Sequence, residues 1–172
     1  MTRLLNDTLS EALNEQMNFE FFSAHVYTAM AGYCSAESLD GFANFFLVQA
    51  EEERFHGMKI YKYLNDRGIH VHLTGMEDPR NNYGSVLEVF EHAYAHEMIV
   101  TRRIYHLSDL ALNDREHATM QFLKWFIDEQ VEEEAMFDSI INKLKRIEKD
   151  SNAFFMMDNE FAQRTFTPPA GA

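Results

Sequence analysis

Apolar residues recur every three to four positions along most of this chain, the repeat of a helix that buries one face. Four long segments carry the pattern. The first runs from near Asp7 to Tyr33, with Leu9, Leu13, Met17, Glu20, Ala24, Tyr27 and Ala31 on one face. The second starts near Ser38 and ends at Gly68, read as a left-handed cap. Its face is Phe42, Phe46, Gln49, Glu53, His56, Ile60 and Leu64. The third opens at Ser85-Val86-Leu87-Glu88, a predicted capping box in which each side chain satisfies the other's free backbone N–H. Its face is Val86, Phe90, Ala93, Glu97, Val100, Ile104 and Ala111. The fourth, with Asp114 as its expected N-cap, continues to near Lys149 on Leu123, Ile127, Gln130, Phe137, Ile141 and Leu144.

A fifth apolar stretch, Ala153 to Arg164, is too short to hold a helix alone and must dock on something. The Thr167-Pro168-Pro169 tail is expected to fray.

Connection lengths set the topology. The breaks near Ser35–Glu37 and Asn113–Asp114 are short, so the first two helices and the last two form antiparallel hairpins. Gly68 to Gly84 is far longer than a hairpin needs. Its 17 residues reach ~56 Å when extended, more than the ~45 Å of a thirty-residue helix. This predicts a crossover that makes helices two and three parallel. Within it, Ile69-His70-Val71-His72-Leu73 alternates like a short strand, and an exposed strand face is the better reading of its two histidines than a metal pair. The fold class is therefore all-α: a four-helix bundle with a long second connection and a short fifth helix, formed by residues 1–172 as a single domain.

Composition agrees with this. Only 3 prolines and 7 glycines interrupt a chain with 15 phenylalanines and 10 methionines, so helices run long and disorder is disfavoured. A net charge of −13 opposes binding to nucleic acid, where phosphates must be neutralised, and an acidic surface attracts cations. The lone Cys34 excludes an intramolecular disulfide framework and a CxxC metal site. MTRLLNDTLSEAL turns polar too soon for a signal peptide, and no apolar run reaches the ~18 residues of a membrane span. A cytoplasmic location without membrane contact is the expectation.

The chemistry lies in the faults of the apolar faces. Glu20, Glu53, His56, Glu97 and Gln130 each occupy a core-facing position. A buried carboxylate without compensation costs several kcal/mol and takes up a proton; a multivalent cation offers the compensation. In an antiparallel hairpin, residues equidistant from the turn lie level. Glu20 and Glu53 are equidistant from the first short turn, Glu97 and Gln130 from the second, and both pairs are 33 residues apart. Their polar groups should thus meet at mid-bundle. Positions i and i+3 share a helix face, so Glu53 and His56 can ligate one metal together and Gln130 and Glu133 another. Carboxylate bundles of this kind hold two iron ions, and mixed oxygen and imidazole donors suit iron in both oxidation states. Gln130 and Glu133 replace a second Glu-x-x-His, which predicts an asymmetric pair. Among the acidic runs, Glu51 and Glu134 read as solvated, while Glu52, Glu129, Glu132 and Glu133 flank the centre as a candidate third cation position.

NEQMNFEFFSAHVY, QAEEERFH, YAHE and FLKWFIDEQVEEE closely resemble the bacterial non-haem ferritins, and the likeness extends from about Leu9 to Gln163. The resemblance implies that Glu20, Glu53 and His56 hold one iron and that Glu53 bridges to a second on Glu97 and Gln130. It also implies a third iron on Glu52, Glu129, Glu132 and Glu133, and a tyrosine beside the pair at Tyr27. The implied activity is oxidation of Fe(II) by O2 or H2O2, with storage of ferric mineral in a homo-oligomeric shell of 24 subunits. Haem is not expected, because the fourth helix lacks the Glu-x-x-His of bacterioferritins and Arg54 follows Glu53. One cysteine cannot build the extra domain of rubrerythrins, and the DNA-protecting miniferritins lack a fifth helix. Two further readings are a di-iron oxygenase, which needs an apolar substrate pocket beside the metals, and a passive metal-binding bundle.

Overall fold

The computed structural model describes residues 5–169 and places five helices in order: α1 (Asp7–Ala36), α2 (Asp40–Asp66), α3 (Val86–Asn113), α4 (His117–Ile147) and α5 (Ser151–Phe161). Met1 to Leu4, the start of the stretch read against a signal peptide, lie outside the described residues. Three helices begin on a side chain that accepts a free N–H of the first turn: Asn6 from Leu9, Ser85 from Glu88 and Asp150 from Ala153. Gly68, with φ 74°, closes α2 as expected, and Ile69 N–H returns to Leu64 O at 2.9 Å. That six-to-one bond is the mark of a left-handed C-terminal cap.

Two caps differ from expectation. The Glu88 carboxylate accepts from Gly84 N–H rather than from Ser85, and Arg80 holds it there, so only half of the capping box forms. Asp114 does not start α4. It ends α3, with its N–H on Leu110 O, and its carboxylate accepts from Asn6 Nδ2. The chain reverses one residue later, where Arg115 takes φ 53°, and α4 begins without a side-chain cap.

The core divides into two clusters. One unites the second half of α1 (Met30, Cys34), the start of α2 (Phe42, Phe46), the start of α3 (Val86, Phe90) and the end of α4 (Phe137, Leu144). The other unites the start of α1 (Leu9, Leu13), the end of α2 (Ile60, Leu64), the end of α3 (Val100, Ile104) and the start of α4 (Leu123, Phe126). Such pairing requires antiparallel α1/α2 and α3/α4 hairpins with α2 and α3 parallel, the crossover topology expected. The faces of α2 and α3 match the pattern residue for residue. On α1 and α4, Ala24 and Ile127 are only half-buried, and Ser23 and Phe126 take the buried places.

The crossover contains no strand among its described residues. It runs extended along α1, where Asn14 and Asn18, one turn apart, supply the partners a neighbouring strand would have supplied. Both amides donate to His72 O, at 2.9 and 2.8 Å, while His72 N–H and Thr74 N–H donate back to Asn14 and Asn18. His70 and His72 face solvent with their rings stacked at 4.8 Å.

Helix α5 docks across the start of α2. Phe161 meets Phe45 at 4.8 Å and Phe154 meets Phe42 at 5.2 Å between ring centroids, and Asp158 accepts from Phe42 N–H at 2.8 Å. Gly41 permits this approach, since a Cβ there would sit 1.6 Å from the Asp158 carbonyl oxygen. Gly41→Ala is therefore expected to unseat α5 and cost ~1–3 kcal/mol. The thermal midpoint should fall by about 5 °C and protease should gain access near residues 148–152. An unchanged midpoint would contradict this docking. No described helix is long and apolar enough to cross a membrane.

Candidate metal centre

A polar layer lies between the two apolar clusters. Glu20, Tyr27, Glu53, His56, Glu97 and Gln130 are each at most 3% exposed. α1 contributes Glu20 and Tyr27, α2 the Glu53/His56 pair, α3 Glu97 and α4 Gln130. Glu20, Glu53 and His56 each present a ligand atom, and these atoms lie within 4.8 Å of one another. His56 Nδ1 is 3.5 Å from Glu53 Oε2, with Trp125 and Phe126 edge-on against the imidazole. Glu97 accepts from the Tyr27 hydroxyl on one oxygen and from Gln130 Nε2 at 3.0 Å on the other. Each pair placed level by counting from its turn is therefore in reach, Glu20 with Glu53 and Glu97 with Gln130.

The electrostatics call for a cation. Burial, reinforced by Glu53, pushes the Glu20 carboxyl up to about 8. Burial pushes Glu97 up to about 7 in spite of its bonds from Tyr27 and Gln130. Glu53 and Glu133 are driven well above the ordinary carboxylate range by burial and then by Glu97. Glu20 Oε2 and both oxygens of Glu53 are buried without a hydrogen-bond partner. Three buried carboxylate oxygens without a hydrogen-bond partner, beside an imidazole, are ligand atoms that suit a multivalent cation. Thiolate is absent from it, since Cys34 lies in the apolar cluster.

Several supporting residues escaped the sequence reading. Gln16 Nε2 donates to Glu20 Oε1 at 2.7 Å, and Arg103 Nε donates to Gln16 Oε1 at 2.8 Å. This relay turns the free Oε2 of Glu20 toward the centre, as supporting shells of metal ligands do. His96 packs its ring on Phe19 and contacts Ser23 Oγ through Nε2 at 2.7 Å. Burial lowers its pKa to about 4, so it adds no charge beside Glu97. The available signals were Gln16 one turn before Glu20 and His96 beside Glu97, both polar residues bordering an apolar face.

The flanking acids are arranged less uniformly. Glu133 is buried, Glu52 and Glu129 are half-buried, and Glu132 is exposed. Glu133 accepts from Gln49 Nε2 at 2.8 Å, and Glu52 from Arg164 at 2.8 Å. Glu51 is exposed as expected, but Glu134 is half-buried and accepts from Thr101 at 2.6 Å. Thr101 in turn accepts from Gln130, so Glu134 belongs to the supporting network rather than to a solvated face.

Residues 10–147 match the family model of the ferritin-like domain. The chain is 54% identical over 163 residues to a bacterial non-heme ferritin of Staphylococcus aureus (strain MRSA252), covering 95% of this chain and 98% of that one. It is also 54% identical to the bacterial non-heme ferritin of Staphylococcus saprophyticus, with the same coverage. Among solved structures, an open-pore ferritin from the hyperthermophilic archaeon Archaeoglobus fulgidus superposes with a TM-score of 0.93 at 40% identity, covering 95% of this chain and 100% of that one. A closed form of the A. fulgidus ferritin, engineered by site-directed mutagenesis, gives a TM-score of 0.93 at 41% identity, over 95% and 99% of the two chains. With the fold, the donor set and this similarity in agreement over nearly its whole length, the chain belongs to the bacterial non-haem ferritins, the iron-storing ferroxidases of the ferritin-like family.

Proposed function

We propose that the buried polar layer is where this chain oxidises iron: Glu20, Glu53 and His56 take one Fe(II), Glu97 and Gln130 take a second, and Glu53 bridges them. The observation that carries this reading is the set of three buried carboxylate oxygens without a donor, on Glu20 and Glu53. Fe(II) is the substrate, so its arrival must displace the protons that burial places on these carboxyls. Glu53 has both oxygens free and is the group able to serve two ions at once. Gln130, neutral where a second Glu-x-x-His would supply charge, leaves the second position the weaker.

Two Fe(II) ions yield one electron each. O2 takes both with two protons to give H2O2, or H2O2 takes both with two protons to give two waters. The carboxylates favour the product because anionic oxygen donors stabilise Fe(III) more than Fe(II). The Tyr27 hydroxyl, buried and bonded to Glu97, fixes the orientation of that ligand. Tyr27 stacks between Phe46 and Phe137, each at 6.1 Å. These rings fill the space an organic substrate would need beside the metals, which weighs against an oxygenase.

The same reading assigns Glu52, Glu129, Glu132 and Glu133 to a third iron position, through which Fe(III) leaves for a mineral surface. It takes residues 1–172 as one domain without haem, acting in the cytoplasm within a 24-subunit shell. Support for assembly lies in large apolar side chains left open on the two segments the bundle does not need. Leu73 is 69% and Met76 50% exposed on the crossover; Phe155 is 56% and Met156 72% exposed on α5.

An anaerobic crystal soaked in Fe(II) tests the assignment. Anomalous scattering should show two strong iron peaks inside the shell of Glu20, Glu53, His56, Glu97 and Gln130, with a weaker third beside Glu52. Iron bound elsewhere, with this interior vacant, would end it.

A further inference from the structure

Arg164 stands three residues beyond the end of α5, where nothing in the helical pattern calls for a charge. Its backbone is pinned, because Asn44 Nδ2 donates to both Phe161 O and Arg164 O at 2.9 Å. Its guanidinium sits over the Phe45 ring, 4.3 Å from the centroid, and Nη1 donates to Phe45 O at 3.2 Å. Held on that platform, Nη2 reaches inward to Glu52 Oε2 at 2.8 Å and to Gln49 Oε1 at 3.0 Å. Gln49 is fully buried, and its other end donates to Glu133 Oε2 at 2.8 Å. One guanidinium therefore engages two of the four acids of the third cation position, Glu52 directly and Glu133 through an amide.

We propose that Arg164 is a built-in competitor for the third cation position, holding Glu52 and Glu133 until an incoming metal ion displaces it. The inference rests on the assignment of that position under the proposed function. A divalent cation draws on the Glu52 charge that the guanidinium already neutralises through Oε2, and the two cations repel at that distance, so they compete. The central pair has no such occupant, since Glu20 and Glu53 keep free oxygens. The central positions therefore fill first and the third fills at higher concentration, which orders the sites. Competition is reciprocal. A metal ion on Glu52 must loosen Arg164 and, with it, the tail from 164 to 169, whose Phe166 otherwise rests on Phe55. A purely structural role, a clamp of the tail on α2, makes the opposite prediction: loss of the arginine would leave the third affinity unchanged or weaken it by freeing Glu52 from its position.

Calorimetric titration of the metal-stripped, assembled protein with Zn(II), which undergoes no redox chemistry, distinguishes these outcomes. In Arg164→Gln the third binding step should tighten by about tenfold, while the two central steps stay within twofold of the unmodified protein. Arg164→Lys keeps a point charge without the planar fork and should fall between; it carries the comparison if the glutamine variant fails to assemble. In the unmodified protein, filling the third position with Zn(II) should also speed amide hydrogen exchange over residues 164–167. A third step that is unchanged or weaker in Arg164→Gln, or a tail equally protected with that position filled, overturns the proposal and leaves the third position standing. Absence of a third step in both proteins overturns the third position itself, and this inference with it, without touching the central pair.

Discussion

Alanine at both Glu53 and His56 is expected to slow Fe(II) oxidation by two orders of magnitude or more while the helices and their packing survive. Removing a mere supporting group from a metal site costs about 10–100-fold. Here the change removes the carboxylate proposed to bridge the two ions and the single imidazole of the cluster together. What remains on that side is Glu20 alone, while Glu97 and Gln130 are occupied with each other and with Tyr27. Stability should move the other way. Both side chains are buried, Glu53 has two unpartnered oxygens, and alanine is the best helix former. The metal-free variant should therefore melt at or above the unmodified protein. Oxygen uptake after Fe(II) addition, with the melting midpoint measured on the same sample, checks both halves. Glu51→Ala, on the exposed face of the same helix, serves as the control and should oxidise normally. A double variant that still oxidised iron at full speed would place the chemistry elsewhere in the molecule.

The second large effect concerns pH. The metal-stripped protein is expected to lose stability as pH rises from about 5 to about 8, contrary to a protein whose carboxylates are paired with cations. Glu20 titrates at about 8 and Glu97 at about 7 in the folded chain, against 4.5 for the ordinary group. A carboxyl with a raised folded value binds its proton more tightly folded than unfolded. Its contribution is complete below 4.5 and is lost as pH climbs through the folded value. Each pH unit of separation is worth about 1.4 kcal/mol. Two such groups make the loss on the order of several kcal/mol, or ~10 °C in thermal midpoint for a chain of this size. Zn(II) should cancel the loss, because a bound cation stabilises the ionised form, so the stabilisation by metal should be greater at pH 8 than at pH 5.5. Glu20→Gln, which cannot ionise, should make the profile of the metal-free chain shallower, leaving the part due to Glu97. A midpoint that rose steadily from pH 5 to 8 in metal-free protein would show that these carboxyls are not buried as described.

How much of this was legible in the sequence differs from element to element. Helices α2 and α3 could be read residue by residue, because each buries one continuous stripe against the bundle and burial enforces the 3.6-residue period. α1 and α4 were read less well at one position each, Ala24 and Ile127. There the buried face turns toward Ser23 and Phe126, a shift that depends on which neighbour the helix meets. Asp114 has the chemistry of an N-cap and does another job. Asn6, 108 residues away, claims its carboxylate, and no local pattern carries a contact of that range. The alternation at residues 69–73 promised a strand; the chain is extended there, but the asparagines of α1 stand in for a partner strand.

The sequence by itself determined the bundle, its crossover and the level at which the acidic residues meet. Helical period and equal spacing from two short turns are local quantities, and burial converts them directly into depth. Which oxygen of each carboxylate faces the centre was decided only when the helices packed. Gln16 turns Glu20 from one turn away and is itself held by Arg103 on α3, Tyr27 and Gln130 hold Glu97 from two other helices, and Arg164 reaches Glu52 from beyond the last helix. Those bonds join residues from 4 to 112 positions apart. A hydrogen bond depends on direction and distance in space, and neither is written in the order of the chain until the fold supplies it.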